Sequence, residues 1–222
     1  MRLSCLLTIL ITIGSLAPVA HATSQIFIEP QQVPVGGNAY GVVLADFNGD
    51  GRLDMAVADH THSSVNVLLG TSTGFGPLVG YGTGDTAAGI AVADFNRDGK
   101  LDLVTANDGG PEHAVSILLG NGDGSFQPQQ SYPAANDTVN VVTADFNGDG
   151  NPDIAVGSDQ YNQPSVTLLL GNGDGTFRPG STFAHEGPGL APADLNGDGK
   201  IDLVTNSGKS LDVFLGNGDG TF

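Results

Sequence analysis

The sequence predicts an all-β fold made of repeated, four-stranded antiparallel sheets. The first observation is a nine-residue pattern, D-x-N-x-D-G-x-x-D, which occurs four times, at residues 46–54, 94–102, 145–153 and 194–202. The second is a Leu-Gly pair with the same period, ending at Gly70, Gly120, Gly171 and Gly216. The first aspartates of the pattern are 48, 51 and 49 residues apart. A period near 50 is typical of a four-stranded blade, so we predict a β-propeller with four repeats present.

Four strands are expected within each repeat. In the first copy, residues 42–45 lead into the nine-residue pattern and residues 55–58 leave it; both runs are apolar throughout, as in buried strands. Residues 65–69 begin with alternating apolar and polar side chains, which indicates a half-buried third strand. The fourth strand, at residues 127–132 in the second copy, is polar and contains proline, which favours an outer edge. Pro192 is awkward in the first strand of the fourth copy.

A glycine-rich turn is expected between the third and fourth strands. Gly-Asn-Gly-Asp-Gly occupies residues 120–124, 171–175 and 216–220, and Asn-Gly and Asp-Gly are strong hairpin signals. A second metal site at Asn121 and Asp123 is conceivable. However, the first copy, residues 70–74, keeps its glycines and has no carboxylate, so a plain turn is favoured.

The N-terminus predicts export. Residues 1–22 contain a basic start, an apolar run and the small-residue cleavage signal Ala-His-Ala, which together predict a cleaved signal peptide and a mature domain at residues 23–222. An uncleaved anchor is the alternative. The single cysteine, Cys5, lies in the signal, so disulfides are not expected to hold the mature chain together. We therefore expect a secreted protein, extracellular or periplasmic, without membrane insertion after cleavage.

Just after the signal, residues 27–35 resemble the fourth-strand segment at 126–133 in their Phe and in a Pro-Gln-Gln core. We therefore predict that this segment is a fourth strand. It would be able to complete the last blade and hide both sheet edges.

The net charge of −17 arises mainly in the repeats. Each nine-residue pattern contains three aspartates, which accounts for 12 of the 24 acidic residues. With seven Lys and Arg residues in the whole chain, nucleic acid is not an expected partner.

Each nine-residue pattern predicts a calcium loop. Side-chain oxygens at positions 1, 3, 5 and 9 and the carbonyl at position 7 can converge on one cation, and glycine at position 6 permits the required positive φ. The closing acid at position 9, rather than 12, indicates a loop between strands instead of a helix-loop-helix site. Three carboxylates repel one another, so ion binding and loop order should be coupled. The alternative is a polar Asx turn without metal. The predicted ligands are Asp46, Asn48, Asp50, Arg52 and Asp54; Asp94, Asn96, Asp98, Lys100 and Asp102; Asp145, Asn147, Asp149, Asn151 and Asp153; and Asp194, Asn196, Asp198, Lys200 and Asp202.

The motif Asp-Phe-Asn-Gly-Asp-Gly-x-x-Asp, followed by Leu-Gly-Asn-Gly-Asp-Gly-(Thr/Ser)-Phe, resembles the FG-GAP or VCBS repeats of bacterial secreted proteins, which are similar to the blades of the integrin α-subunit head. The resemblance covers residues 25–222. It implies a β-propeller with about four Ca²⁺, one per loop, and a role in adhesion or in binding protein or carbohydrate outside the cell. The family usually closes with about seven blades, which favours a larger ring. Closure by four blades and association of chains are the alternatives.

Two residues depart from the family pattern. Arg97 stands where the other loops have Gly49, Gly148 and Gly197, and Pro152 precedes the last aspartate of its loop. The side chain of Arg97 can point outward, so we keep this loop as a metal site and expect it to have the lowest affinity.

The leading functional prediction is a calcium-stabilised extracellular binding module that is not an enzyme. A glycan-active hydrolase or lyase, or a lectin-like domain, is the alternative, and a purely structural domain is the third. Glu112 and His113 beside Asp108 form the most catalytic-looking cluster, while His60 and His62 look most like transition-metal ligands. For both clusters, solvated loop residues are the favoured interpretation. These variable segments between the second and third strands are where we expect any binding surface.

Overall fold

The computed structural model describes residues 32–108, 115–159, 163–185, 187–206 and 209–222. Residues 33–222 form one compact unit. The predicted signal peptide and the first part of the predicted N-terminal strand lie outside the described residues. Across the ranges given, no helix has the length and apolar character needed to cross a membrane.

Fifteen strands among the described residues form four antiparallel sheets, and in each sheet the strands lie side by side in chain order. Blade 1 contains β1 (Ala39–Ala45), β2 (Asp54–Asp59), β3 (Ser64–Thr71) and β4 (Gly74–Gly82). Blade 2 contains β5 (Ala87–Ala93), β6 (Asp102–Asn107), β7 (Val115–Leu118) and β8 (Gln130–Tyr132). Blade 3 contains β9 (Thr138–Ala144), β10 (Asp153–Ser158), β11 (Ser165–Gly171) and β12 (Phe177–Ala184). Blade 4 contains β13 (Leu190–Ala193), β14 (Asp202–Asn206) and β15 (Leu211–Phe214). The predicted all-β propeller fold is confirmed.

The nine-residue patterns, called loops 1 to 4 in chain order, fix the strand register. In each blade the alanine before the loop pairs with the last aspartate of the loop: Ala45 with Asp54, Ala93 with Asp102, Ala144 with Asp153 and Ala193 with Asp202. Because neighbouring strands are antiparallel, the hairpin turns that follow the third strands lie at the same end of the blades as the loops. The connections between second and third strands lie at the opposite end.

Three hydrophobic clusters fill the spaces between successive blades. The cluster between blades 1 and 2 contains Val65 and Val67 from one blade and Ile90 and Leu103 from the other. The first strands β1, β5, β9 and β13 lie next to one another along the inner side. They approach closely: a Cβ on Gly89 would lie 2.9 Å from the carbonyl oxygen of Val139. This close packing explains why the first strands consist of small apolar residues.

In blades 2, 3 and 4 a phenylalanine after the hairpin turn joins its blade to the preceding blade. The ring centroid of Phe177 lies 5.3 Å from that of Phe95 and 5.4 Å from that of Tyr132, both in the preceding blade. Both contacts are edge-to-face. The same contacts recur at Phe126 with Phe47 and Tyr81, and at Phe222 with Phe146 and Phe183. The turn glycine adds a hydrogen bond, since the N–H of Gly175 donates to the Phe95 carbonyl at 3.1 Å. Each turn is therefore an inter-blade contact.

The four blades form an open arc within the described residues. Val42 of blade 1 is 60% exposed, whereas its equivalents Ile90 and Val141 are 9% and 3% exposed. At the other end of the arc Val213 is 53% exposed, and its equivalent Ile117 is fully buried. The faces that interior blades bury against their neighbours are thus uncovered at both ends.

Three predictions about strands need correction. The fourth strand of blade 2 covers only Gln130–Tyr132, although the Gln127 N–H still donates to the Leu119 carbonyl at 2.8 Å. The described part of the predicted N-terminal strand, residues 32–35, is not in a strand. The carbonyl of Val35 instead accepts a hydrogen bond from the Asn66 side chain. Pro192 is accommodated in β13, because a first strand is an edge of its own sheet and pairs only with β14.

The aromatic contacts predict that Phe177→Ala lowers the free energy of unfolding by about 3–5 kcal/mol, since a buried ring leaves a cavity between two blades. Phe75 occupies the same repeat position but is 37% exposed, so Phe75→Ala should cost clearly less. Urea unfolding of the two variants measures the difference. Equal losses would show that the ring contacts between blades do not hold the arc together.

Candidate metal loops

The loop backbone has the conformation that the sequence predicted at position 6. Here φ is 83° at Gly51, 81° at Gly99, 83° at Gly150 and 82° at Gly199. Position 4 is also left-handed, at 72°, 74° and 76° in Gly49, Gly148 and Gly197 and at 57° in Arg97. A left-handed backbone at position 4 was not predicted, although glycine occupies that position in three of the four loops.

The side chains at positions 1 and 3 turn towards the amides of their own loop. In loop 1 the Asp46 carboxylate accepts from the N–H groups of Asp50 at 3.1 Å and Gly51 at 2.7 Å. The Asn48 side chain accepts from the same Asp50 N–H at 3.0 Å. The Gly51 N–H holds the pKa of Asp46 below its usual value. The first aspartate accepts from the position-6 amide in the other loops as well, at Asp94, Asp145 and Asp194. The third-position asparagine accepts from the position-5 amide at Asn96, Asn147 and Asn196.

The carboxylate at position 5 accepts from the amide two residues later and meets a polar side chain. In loop 2, Asp98 accepts from Lys100 N–H at 2.9 Å, and the Lys100 ammonium lies 3.3 Å from its other oxygen. Arg52 pairs with Asp50 in the same way. In loops 3 and 4 the amide groups of Asn147 and Asn196 take this role, donating to Asp149 and Asp198. The residue two positions later supplies the backbone N–H there, from Asn151 and Lys200. Position 7 was predicted for its carbonyl alone, yet its N–H and, in two loops, its side chain restrain position 5.

The aspartate at position 9 is fully buried and holds two parts of the blade together. One oxygen of Asp102 accepts from Phe95 N–H at 2.8 Å and the other from Gly120 N–H at 2.8 Å. The same pair of hydrogen bonds occurs at Asp54, Asp153 and Asp202. These carboxylates therefore link the start of the loop to the Leu-Gly glycine after the third strand.

The recurring glycine is needed because nothing larger fits there. A Cβ on Gly120 would lie 2.2 Å from the Leu101 carbonyl oxygen, and Gly70, Gly171 and Gly216 meet the equivalent carbonyl at 2.3, 2.3 and 2.1 Å. This contact gives the Leu-Gly landmark its physical cause.

The pKa of the aspartate at position 9 is shifted in different directions in different blades. Burial raises the pKa of Asp102 and of Asp153 to about 6, and the neighbouring loop aspartates act in the same direction. Asp202 makes the same hydrogen bonds in blade 4. There the N–H groups of Gly216 and Leu195 lower its pKa.

Each loop thus carries oxygen donors of the chemistry that a hard cation prefers, in order around one turn. The donors at positions 1 and 3 of loop 1 meet at one amide, Asp50 N–H. The aspartates are turned to backbone amides rather than gathered: among the described residues, no three acidic, histidine or cysteine side chains are grouped closely enough to hold a metal. The donor set fits Ca²⁺ in its chemistry, and both the ion and the Asx-turn interpretation remain consistent with these contacts.

The hairpin turns have the contacts of plain turns. Asp123 accepts from the backbone and hydroxyl of Ser125 at 2.9 and 2.6 Å, and the hydroxyl lowers the pKa of Asp123. Asp174 and Asp219 repeat this arrangement with Thr176 and Thr221.

The two histidines at the opposite end do not form one site. The Nε2 atom of His60 lies 3.5 Å from Asp108, and its ring stacks on Tyr40 with centroids 4.4 Å apart. The Nδ1 atom of His62 instead lies 2.8 Å from a carboxylate oxygen of the buried Asp59. Glu112 and His113 lie outside the described residues.

The position-9 contacts predict that Asp102→Asn destabilises the protein even without metal. One carboxylate oxygen becomes an NH₂ group facing a backbone N–H, which should cost about 1–3 kcal/mol of unfolding free energy. Urea unfolding at pH 8 in EGTA measures this loss. Asp98→Asn is the control, because it keeps an oxygen for Lys100 N–H and should cost less. A neutral Asp102→Asn would contradict the role assigned to the buried carboxylate.

Comparison with solved structures gives similarity at low identity, and no curated protein matches the chain. The chain is similar to a structure described as BBS1N in complex with ARL6DN, soaked with lead, at 17% identity over 82% of this chain, with a TM-score of 0.49. It is also similar to the V. cholerae biofilm matrix protein Bap1, at 17% identity over 68% of this chain, with a TM-score of 0.36. This chain spans 59% and 29% of the lengths of those two proteins.

The FG-GAP-like repeat matches three overlapping segments, residues 46–105, 94–156 and 155–205. The first two segments begin at the first aspartates of loops 1 and 2. Together the three segments cover more than half of the sequence, and the chain belongs to the FG-GAP-like repeat family.

Proposed function

We propose that this chain is a secreted, calcium-stabilised propeller module that binds a protein or carbohydrate partner outside the cell. The observation that carries the proposal is the repetition of one oxygen-rich loop at the same end of all four blades, with the same hydrogen bonds from the backbone amides of positions 5, 6 and 7 each time. Export rests on the signal sequence at residues 1–22. The family resemblance supports a binding role.

Calcium would be held by the side chains at loop positions 1, 3, 5 and 9 and by the carbonyl at position 7. Ca²⁺ takes six to eight oxygen ligands, which this set approaches, with water as a further donor. The bound ion would supply positive charge between three carboxylates. The proposed ions are structural, because their ligands recur in every blade, whereas a catalytic ion usually occupies one cleft with an open coordination position.

The partner would bind at the opposite end of the blades, where the connections between second and third strands differ from copy to copy. Tyr40 is 65% exposed there and stacks on His60, whose imidazole lies beside Asp108. A flat exposed ring next to a carboxylate also suits a sugar, which keeps the lectin-like alternative open. Binding to a glycan panel without turnover would favour a lectin, whereas turnover lost in Glu112→Ala would favour an enzyme.

The calcium proposal predicts that the mature protein melts at a clearly higher temperature in Ca²⁺ than in EGTA, and that Mg²⁺ does not reproduce the rise. Each site filled at about 100 times its Kd adds about 2.7 kcal/mol to the unfolding free energy. Calorimetric unfolding across a Ca²⁺ titration measures this effect. A folded protein without any response would leave the loops as Asx turns.

Loss of a single ligand should act locally. Asp50→Ala is expected to weaken calcium protection of blade 1 and leave blades 3 and 4 unchanged, because a blade contacts mainly its neighbours. Hydrogen exchange in excess Ca²⁺, resolved by peptide, measures the pattern. Asp123→Asn, in a turn outside the loops, should leave calcium protection of every blade unchanged. An unchanged melting temperature for Asp50→Ala in excess Ca²⁺ would count against a structural ion in loop 1.

A further inference from the structure

Loop 2 differs from the other loops at a position where the backbone disfavours any side chain. Arg97 has φ of 57°, in the left-handed region that its three glycine counterparts also occupy. Space does not exclude a side chain here, since no atom lies within 4 Å of where a Cβ would stand on Gly49 or Gly197. The backbone of Arg97 is therefore strained, but its side chain has room to extend away from loop 2.

The arginine side chain reaches loop 3. Its Nη2 atom donates to the Gly150 carbonyl at 2.6 Å, across the boundary between blades 2 and 3. The N–H of Gly150 donates to Asp145, the first ligand position of loop 3. The residues on either side are Asp149 and Asn151, at ligand positions 5 and 7. The guanidinium thus holds the backbone segment from which two predicted ligands project, through a charged hydrogen bond.

Loops 1 and 2, and loops 3 and 4, lack such a connection. Between the described residues of those pairs, no direct hydrogen bond joins one loop to the other. Among the described residues, hydrogen bonds connect these loops through the hairpin turns, as in the bond from Gly124 N–H to the Phe47 carbonyl at 3.2 Å. Loops 2 and 3 have that turn contact and the arginine as well.

We propose that Arg97 couples loops 2 and 3, so that their ions bind as a cooperative pair while loops 1 and 4 fill independently. The proposal rests on the calcium function proposed above. An ion in loop 2 would fix the backbone between Asn96 and Asp98 and, with it, the start of the Arg97 side chain. A fixed arginine would order the Gly150 segment before the second ion arrives. Linkage then requires that an ion in loop 3 raises the Ca²⁺ affinity of loop 2 by the same factor.

The experiment follows one amide per loop by NMR during a Ca²⁺ titration of the mature protein. Gly51, Gly99, Gly150 and Gly199 each donate to the first aspartate of their loop, so each reports ion binding in one loop. Asp98→Ala disables loop 2. With Arg97 present, this change should raise the Ca²⁺ concentration at the midpoint of the Gly150 titration about fivefold. The midpoints reported by the Gly51 and Gly199 amides should not change.

The matched background is Arg97→Gly, which restores the glycine of the other loops. In this background Asp98→Ala should leave the Ca²⁺ midpoint at Gly150 unchanged. Because the single variant Arg97→Gly and the double variant both lack the guanidinium group, its charge cannot contribute to the difference between them. Asp50→Ala, which disables loop 1 beside Gly49, should not move the Gly99 midpoint. An unchanged Gly150 midpoint with Arg97 present, or an equal shift in both backgrounds, would overturn the coupling.

A metal-free measurement separates this inference from the calcium function. In EGTA, Arg97→Gly should speed amide exchange at Gly150 and Asn151 several-fold and leave loop 1 unchanged, because loop 3 loses the arginine hydrogen bond and loop 1 loses no contact. Equal exchange in both proteins would overturn the arginine restraint whether or not calcium binds. If no glycine amide responds to Ca²⁺, both the calcium function and the ion coupling are wrong.

Discussion

The buried carboxylate at loop position 9 is the interaction on which each blade depends. Asp102 accepts one N–H from the start of its loop and one from Gly120 at the end of the third strand. It thereby joins the first, second and third strands at one point. Because both oxygens of a buried carboxylate must be satisfied, the loop cannot change length without losing a partner. The constant nine-residue spacing and the strand register follow from this requirement, and the close approach of the Leu101 carbonyl adds the need for glycine at position 120.

The same end of the blades carries the contacts between neighbours. In blades 2 to 4 the hairpin turn places a glycine N–H on the preceding loop and a phenylalanine against two aromatic rings of the preceding blade. Loop geometry is consequently part of inter-blade packing. A cation that ordered a loop would also stabilise the surface against which the next blade packs, which connects the proposed calcium sites with the stability of the whole arc.

The two ends of the blades have different roles in this scheme. The loop end is nearly identical in every copy, since small departures disturb buried hydrogen bonds. Arg97 is the exception, and its guanidinium forms a contact between loops that glycine cannot make. The opposite end varies more, and Tyr40 and His60, which have no counterparts in the other copies, contact each other there beside Asp108. Variation concentrated at one end of a rigid scaffold is the usual arrangement of a recognition surface.

The sequence by itself determined the repeat, the order of strands, the ends at which loops and turns lie, and the oxygen chemistry of the loops. These features are local, and a pattern of nine or five residues contains them completely. Tertiary structure alone decided the contacts between residues that are distant in the sequence. These include the second partner of Asp102, the meeting of Phe177 with Phe95 and Tyr132, and the bond from Arg97 to Gly150. Pro192 shows the same limit, because its tolerance depends on which side of β13 is paired. Such contacts depend on how strands and blades rest on one another, and a repeat read in isolation contains no information about its neighbour's position.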